Sequence, residues 1–174
     1  MSKRPNNTNK KPKVLNRKNY IPFYLINIAN QYSRGASRIY LRLFGIGVIE
    51  WRMLSVISIE KVATANQICA AIHLDKGAAS RSLKTLVSRN LVDIYADAQD
   101  SRKRLVSLTQ KGIALHDEII KIALAREKHL TGNFTDEEHA MTVKLLKKMN
   151  ENLTHIDDFD YKSLIDTDLV KELI

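Results

Sequence analysis

The chain is 174 residues long, 44% apolar and 27% charged, which supplies a core but excludes a large barrel and leaves one compact domain or two very small ones. Its formal net charge of +9 points to an anionic polymer or surface as partner. No run approaches the roughly 18 apolar residues of a membrane span, the first seven residues, Met1-Ser-Lys-Arg-Pro-Asn-Asn, carry no signal-peptide core, and the single cysteine, Cys69, excludes an internal disulfide framework and fits a cytoplasmic setting.

Residues 1–18 hold seven cations and no acid, and with Pro5 and Pro12 they read as a disordered basic arm. Because all three prolines fall within the first 22 residues, long helices are the default thereafter. Pro22 suits the first turn of a helix in which Ile21, Tyr24, Leu25, Ile28, Tyr32, Ala36, Ile39, Tyr40 and Leu43 recur at helical spacing, until Gly45 ends it. A second helix starts near Ile49, capped by Gly47, with Trp51, Leu54, Ile57 and Ile59 partly inward. Thr64-Ala-Asn-Gln67 forms a capping box for a short third helix containing Ile68, Cys69 and Ile72. Asp75 caps a fourth, whose Ala79, Leu83, Leu86 and Val87 share one side, and Asn90 takes the left-handed turn that ends it.

Residues 91–95 and 105–108 read as short strands around a polar connection with a charged tip. Thr109 caps a fifth helix with Leu115, Ile119 and Ile122 inward and Gly132 near its end. A second capping box, Thr135-Asp-Glu-Glu138, opens a sixth helix through Met141, Leu145, Met149 and Leu153. Residues 155–174, with six acids against Lys162 and Lys171, form an acidic extension. The fold class is therefore mainly α (α+β).

Two short helices followed by a charged hairpin is the layout of a winged helix-turn-helix, in which one helix enters the major groove of DNA and the hairpin reaches its backbone or minor groove. The fourth helix supports this. Opposite its apolar stripe lie Lys76, Gly77, Ser80, Arg81 and Lys84, small and basic groups that approach DNA closely, donate to guanine edges or hold phosphates. The hairpin tip adds Arg102, Lys103 and Arg104. Either cluster alone reads as a solvated face; two of them flanking a helix-turn-helix pattern read as a double-stranded DNA interface.

Over roughly residues 20–154 the sequence resembles the MarR family of dimeric bacterial transcription regulators. The resemblance is carried by Asp100-Ser-Arg102-Lys-Arg-Leu-Val106-Ser-Leu-Thr109-Gln-Lys-Gly112, by Glu50-Trp51-Arg52-Met-Leu54, and by Leu74-Asp75-Lys76-Gly-Ala-Ala-Ser80-Arg81-Ser-Leu83-Lys84-Thr-Leu86. It implies that Arg102 enters the minor groove, that Asp100 braces Arg102 by an ion pair, and that Lys76, Ser80, Arg81 and Lys84 face the major groove. It further implies a homodimer built from residues 19–45 and 110–154, with residues 46–109 as the DNA-binding region and a pseudo-palindromic operator. Gly47 and Asn90 depart from the family's usual residues, yet both suit the conformations required.

Many relatives are repressors that release DNA when a small, often aromatic and anionic ligand binds between the dimer helices and the wing domain. Seven of the eleven aromatic residues fall within residues 20–51, where Tyr32 and Trp51 accompany Arg34, Arg38 and Arg52, arginines able to grip a carboxylate; His116 is a further lining candidate. The opposed reading makes the rings dimer core and the arginines solvated. The Glu50-Trp-Arg52 and Asp75-Lys segments resemble the family branch tied to aromatic-acid catabolism, such as hydroxycinnamate use. No cofactor is expected. An enzyme finds no phosphate-cradling loop, nucleophile elbow or paired histidines at metal spacing, so neither a catalytic site nor a metal site is expected, and Cys69 reads as a small buried apolar residue. The alternative from a different class is a winged helix that binds RNA or protein without sequence-specific DNA recognition.

Overall fold

The computed structural model describes residues 12–174; of the arm expected over 1–18, residues 1–11 lie outside the described residues. In chain order the elements are α1 (Ile21–Phe44), α2 (Val48–Glu60), β1 (Val62–Thr64), α3 (Ala65–Ile72), α4 (Lys76–Ser88), β2 (Val92–Ala96), β3 (Arg104–Leu108), α5 (Gln110–Leu130), α6 (Asp136–Ile156) and α7 (Thr167–Leu173), with 3-10 turns at Arg17–Asn19 and Tyr161–Leu164. The mainly helical class with a small antiparallel sheet is the expected one.

Local chemistry sets most helix ends. Gly45 closes α1 in the left-handed region at φ 68°, a conformation that suits a residue without Cβ. At α3 the reciprocal box is complete: Gln67 N–H donates to Thr64 Oγ1 at 3.2 Å and Thr64 N–H to Gln67 Oε1 at 2.8 Å. Asp75 Oδ1 accepts from Ala78 N–H at 2.8 Å to start α4, and Asn90 leaves it at φ 57°. The second box opens α6 through Thr135 and Glu138.

One element was not foreseen. β1, only three residues long, pairs antiparallel with β3 with Ala63 opposite Val106, so the sheet order is β1-β3-β2 and β3 lies in the middle. Three residues are too few to show the alternation by which a strand is read. Val106, on the central strand, is buried, as are Leu91 and Val92 at the entry to β2.

The described chain comprises two compact units divided between Ala123 and Leu124. The core of the first gathers Tyr40 from α1, Met53, Leu54 and Ile57 from α2, Ile68 and Ile72 from α3, Leu86 from α4 and Ile119 from α5 around the sheet residues. Fully burying each of the larger aliphatic side chains contributes about 1.5–3 kcal/mol. The second unit holds the end of α5, α6, the Tyr161–Leu164 turn and α7. Within one chain α6 has no buried residue, and its Met141, Leu145, Leu153 and Ile156 stand half exposed. The acidic extension folds into the turn and α7, held by Asp160 and Asp166 as caps.

Candidate nucleic-acid interface

The centre of the interface is α4, and its mounting explains why its basic face turns outward. Ala79, Ser82 and Leu86 are buried on one side of the helix, while Lys76, Gly77, Ser80, Arg81 and Lys84 are exposed on the other. The residues Lys76–Ser88 contain no acid, so beyond the N-cap carboxylate of Asp75, which lies beside Gly77, this face carries only cations. Arg81 lies back along the helix toward its N-terminus: a Cβ placed on Gly77 would come within 3.6 Å of the Arg81 guanidinium. Gly77 thus leaves the backbone of the first turn open beside that arginine.

Three polar contacts over long sequence separation hold α4 and the helices around it. Glu50 receives Gly47 N–H on Oε2 at 3.0 Å, which caps α2, and the buried Ser82 hydroxyl on Oε1 at 2.7 Å, so one carboxylate links the start of α2 to the rear of α4. Arg89, just past α4, donates to the carbonyls of Phe44 at 3.0 Å and of Gly45, satisfying the C-terminal end of α1. Arg52 donates to Ile72 O at 2.8 Å and so caps α3. Of these, the Glu50 cap carries a local signal, an acid three residues after the N-cap; the others join residues 20 to 45 positions apart and have none.

The wing is β2, β3 and the connection between them. Its tip is folded on itself: Asp97 N–H donates to Lys103 O at 2.9 Å, Lys103 N–H to Asp100 O at 2.9 Å, and Gln99 N–H to Asp97 Oδ1 at 2.8 Å. The expected ion pair of Asp100 with Arg102 is corrected here. Asp100 Oδ1 instead accepts the backbone N–H of Arg102 at 3.0 Å, and among the described residues no ion pair joins the two side chains. A carboxylate two residues ahead in a tight turn reaches the peptide N–H first, which leaves the Arg102 guanidinium exposed. Lys103 and Arg104 are exposed beside it. At the base of the wing, Thr109 receives Gly112 N–H at 2.9 Å and donates its hydroxyl to Asn90 O at 2.8 Å, tying the start of α5 to the end of α4.

The six ligand candidates fall into separate groups. Arg34 and Arg38 line an open groove of about 520 Å³ on α1 with Gln31, Ser37 and Leu41. His116 lines another, of about 260 Å³, with Ile57, Lys61, Leu108 and Asp117. Trp51 stacks on His116 at 5.2 Å and meets Tyr40 edge-on at 6.1 Å. Arg52 is engaged by the Ile72 carbonyl, a structural role that its side-chain type could not reveal. Tyr32 is half-buried on α1. Among the described residues no group of three or more His, Cys, Asp or Glu is placed to hold a metal ion, no helix is long and apolar enough to cross a membrane, and Cys69 is half-buried on α3.

Comparison with known proteins places these features among characterised ones. Residues 44–103, spanning α2 to the wing tip, match the model of the MarR family. The chain is similar to a crystal structure of a MarR/EmrR family transcriptional regulator from Acinetobacter sp. ADP1, with 29% identity, 82% of this chain and 100% of that chain covered, and a TM-score of 0.76. It is also similar to a cysteine-to-serine mutant of MarR from E. coli complexed with operator DNA, with 30% identity, 74% of this chain and 94% of that chain covered, and a TM-score of 0.65. Among curated proteins, the multiple antibiotic resistance protein MarR of Escherichia coli is 29% identical over 127 residues, 72% of this chain and 88% of that protein.

Proposed function

The chain belongs to the MarR family of transcription regulators, which are not enzymes, and we propose that it acts in the cytoplasm as a homodimeric, sequence-specific repressor released from a pseudo-palindromic operator by a small aromatic acid. The observation that carries the DNA part is the exposed, acid-free face of α4, held from behind by Glu50 and Arg89, together with the cations of the wing tip. Lys76, Ser80, Arg81 and Lys84 face the major groove, with Gly77 allowing close approach, and Arg102 enters the minor groove flanked by Lys103 and Arg104. Asp100 keeps the tip folded through the peptide N–H of Arg102. The relative from E. coli whose structure contains operator DNA, at 30% identity, supports the same partner here.

The homodimer is supported by the uncovered apolar rows of α1 and α6. Exposed apolar rows of that kind mark interaction sites, and on this reading residues 19–45 and 110–154 supply them while 46–109 bind DNA. A two-fold dimer presents two copies of α4 to half-sites about one helical turn apart. For the effector, Arg34 and Arg38 offer two guanidinium forks for a carboxylate, Tyr32 lies on the same helix, and the Trp51–His116 stack offers an aromatic surface. A hydroxycinnamate is the representative acid of the branch that the Glu50-Trp-Arg52 segment resembles.

Selection of bound duplexes from a random DNA pool at physiological salt tests this reading. The expected winner is two-fold symmetric, and Arg81→Ala weakens its binding by about 1–3 kcal/mol with a change in base preference, while Arg102→Ala lowers affinity with preference retained. Titrating small aromatic acids, hydroxycinnamates first, then releases the DNA. No enriched sequence, or unchanged binding by both variants, overturns the DNA assignment in favour of an RNA-binding or protein-interaction module; an enriched operator that no acid releases overturns the effector alone.

A further inference from the structure

The residues that follow α4 are fastened on two sides. Asn90 N–H donates to Val87 O at 2.8 Å and Leu91 N–H to Leu86 O at 3.0 Å, so the last carbonyls of α4 are tied to the residues that leave it, with Asn90 left-handed between them. Leu91 is itself buried. Whatever fixes residues 89–91 therefore fixes the C-terminal end of the helix. On one side they meet the start of α5: the carbonyls of Arg89, Asn90 and Leu91 accept in turn from Lys111 Nζ at 2.9 Å, the Thr109 hydroxyl at 2.8 Å and Thr109 N–H at 3.2 Å. On the other, the half-buried Arg89 reaches the end of α1, donating to Phe44 O at 3.0 Å and to Gly45 O.

The end of α1 is shaped to receive that arginine. A Cβ on Gly45 would stand 3.0 and 3.1 Å from the two terminal guanidinium nitrogens, so Gly45 supplies room for the fork as well as the left-handed φ of 68°. Among the described residues no carboxylate forms an ion pair with Arg89; its charge faces the negative end of α1 instead. We propose that Arg89 is a positioning residue for DNA recognition: without touching DNA, it holds α4 against the end of α1 so that Ser80 and Arg81 reach base edges. This rests on the DNA reading above. Hydrogen bonds to base edges demand near-ideal distance and direction, whereas long flexible lysines follow a phosphate through a small displacement. A recognition helix loosened at one end therefore loses specific contacts and keeps non-specific ones.

The duplex selected by the full chain is the probe, beside a random duplex of equal length. Arg89→Gln removes the fork and weakens binding to the selected duplex about tenfold, while binding to the random duplex and the dependence of affinity on salt stay as they were. Loss of a phosphate contact would instead lower the salt slope by about one unit. Gly45→Ala crowds the fork and has the same effect, and the two substitutions together do no worse than Arg89→Gln alone, because no fork is left to displace. Arg89→Lys, the milder change, keeps the charge without the fork and recovers only part of the loss. All variants are compared at a temperature at which circular dichroism shows them folded, so that lost stability does not enter. Unchanged binding of the selected duplex, equal weakening on both duplexes, a reduced salt slope, additive effects of the two substitutions, or full recovery with lysine each overturn the positioning role and leave the DNA reading standing. An unsubstituted chain that selects no duplex removes the DNA reading itself, and the positioning role with it.

Discussion

Substituting Gly112 by alanine sets two effects of opposite sign against each other. Gly112 lies in the first turn of α5, where alanine is the better helix former by up to about 1 kcal/mol; on propensity alone Gly112→Ala stabilises. The packing says otherwise. A Cβ at this position would stand 2.0 Å from the Leu91 carbonyl oxygen and 3.0 Å from its carbon, against about 3.5 Å for an ordinary contact. The obstacle is backbone, so no rotamer change relieves it. Leu91 O also accepts Thr109 N–H at 3.2 Å, and the neighbouring Asn90 O accepts the Thr109 hydroxyl at 2.8 Å. Moving α5 away by more than about 1 Å therefore strains both bonds, worth about 1 kcal/mol each, in addition to about 1–3 kcal/mol for overpacking. After the propensity gain is subtracted, the net loss is about 2–4 kcal/mol. For a chain of this size each kcal/mol shifts Tm by about 2–4 °C, so thermal unfolding followed by circular dichroism shows a fall of about 4–16 °C at matched protein concentration. A Tm that is unchanged or raised refutes the close approach and with it the mounting of the wing base on α5.

Two further outcomes follow from the contacts. Glu50→Ala removes the α2 cap and leaves the buried Ser82 hydroxyl without its acceptor, costing about 2 kcal/mol; in a double-mutant cycle with Ser82→Ala, denaturant midpoints show a coupling of at least about 0.5 kcal/mol, and simple additivity contradicts the link. Glu137 has its carboxyl held below the ordinary glutamate value, first by a backbone N–H and then by the Thr135 hydroxyl. With the folded value the lower one, its contribution to stability is present above the unfolded pKa and disappears as pH falls through the folded pKa; an NMR titration places the Glu137 midpoint below the ordinary glutamate value, and a midpoint at or above that value contradicts these hydrogen bonds.

What could be read from the residues and what could not divides by range. Thr64 with Gln67, Asp75, Thr109, and Thr135 with Glu138 are caps whose partners lie within three residues, so helix starts were legible, as was the left-handed Asn90. The basic side of α4 followed from helical periodicity, because the apolar stripe fixes which side faces out. Arg52 and Arg89 were not legible: an arginine's type announces that it will meet an acceptor but not whether that acceptor is a ligand carboxylate or a carbonyl 20 to 45 residues away. The Asp100–Arg102 spacing likewise fits two geometries, and the peptide N–H is the nearer donor. β1 escaped because its pairing with β3 is a non-local fact about a three-residue stretch.

The charges and the apolar rows answer at different levels of assembly. The cationic face of α4 is complete in one chain, since Glu50 turns its carboxylate inward to Ser82 and Gly47, and no acid along α4 offsets Arg81 or Lys84. The apolar residues of α1 and of α6 are largely exposed, and in the proposed homodimer a second copy covers them. A single α4 with a few phosphate contacts gives mainly non-specific, salt-dependent binding; specificity over a two-fold site requires both copies at a fixed spacing. On the proposed reading, operator affinity and dimer dissociation are therefore linked by mass action, and anything that loosens the α1 and α6 rows weakens operator binding without touching α4 or the wing.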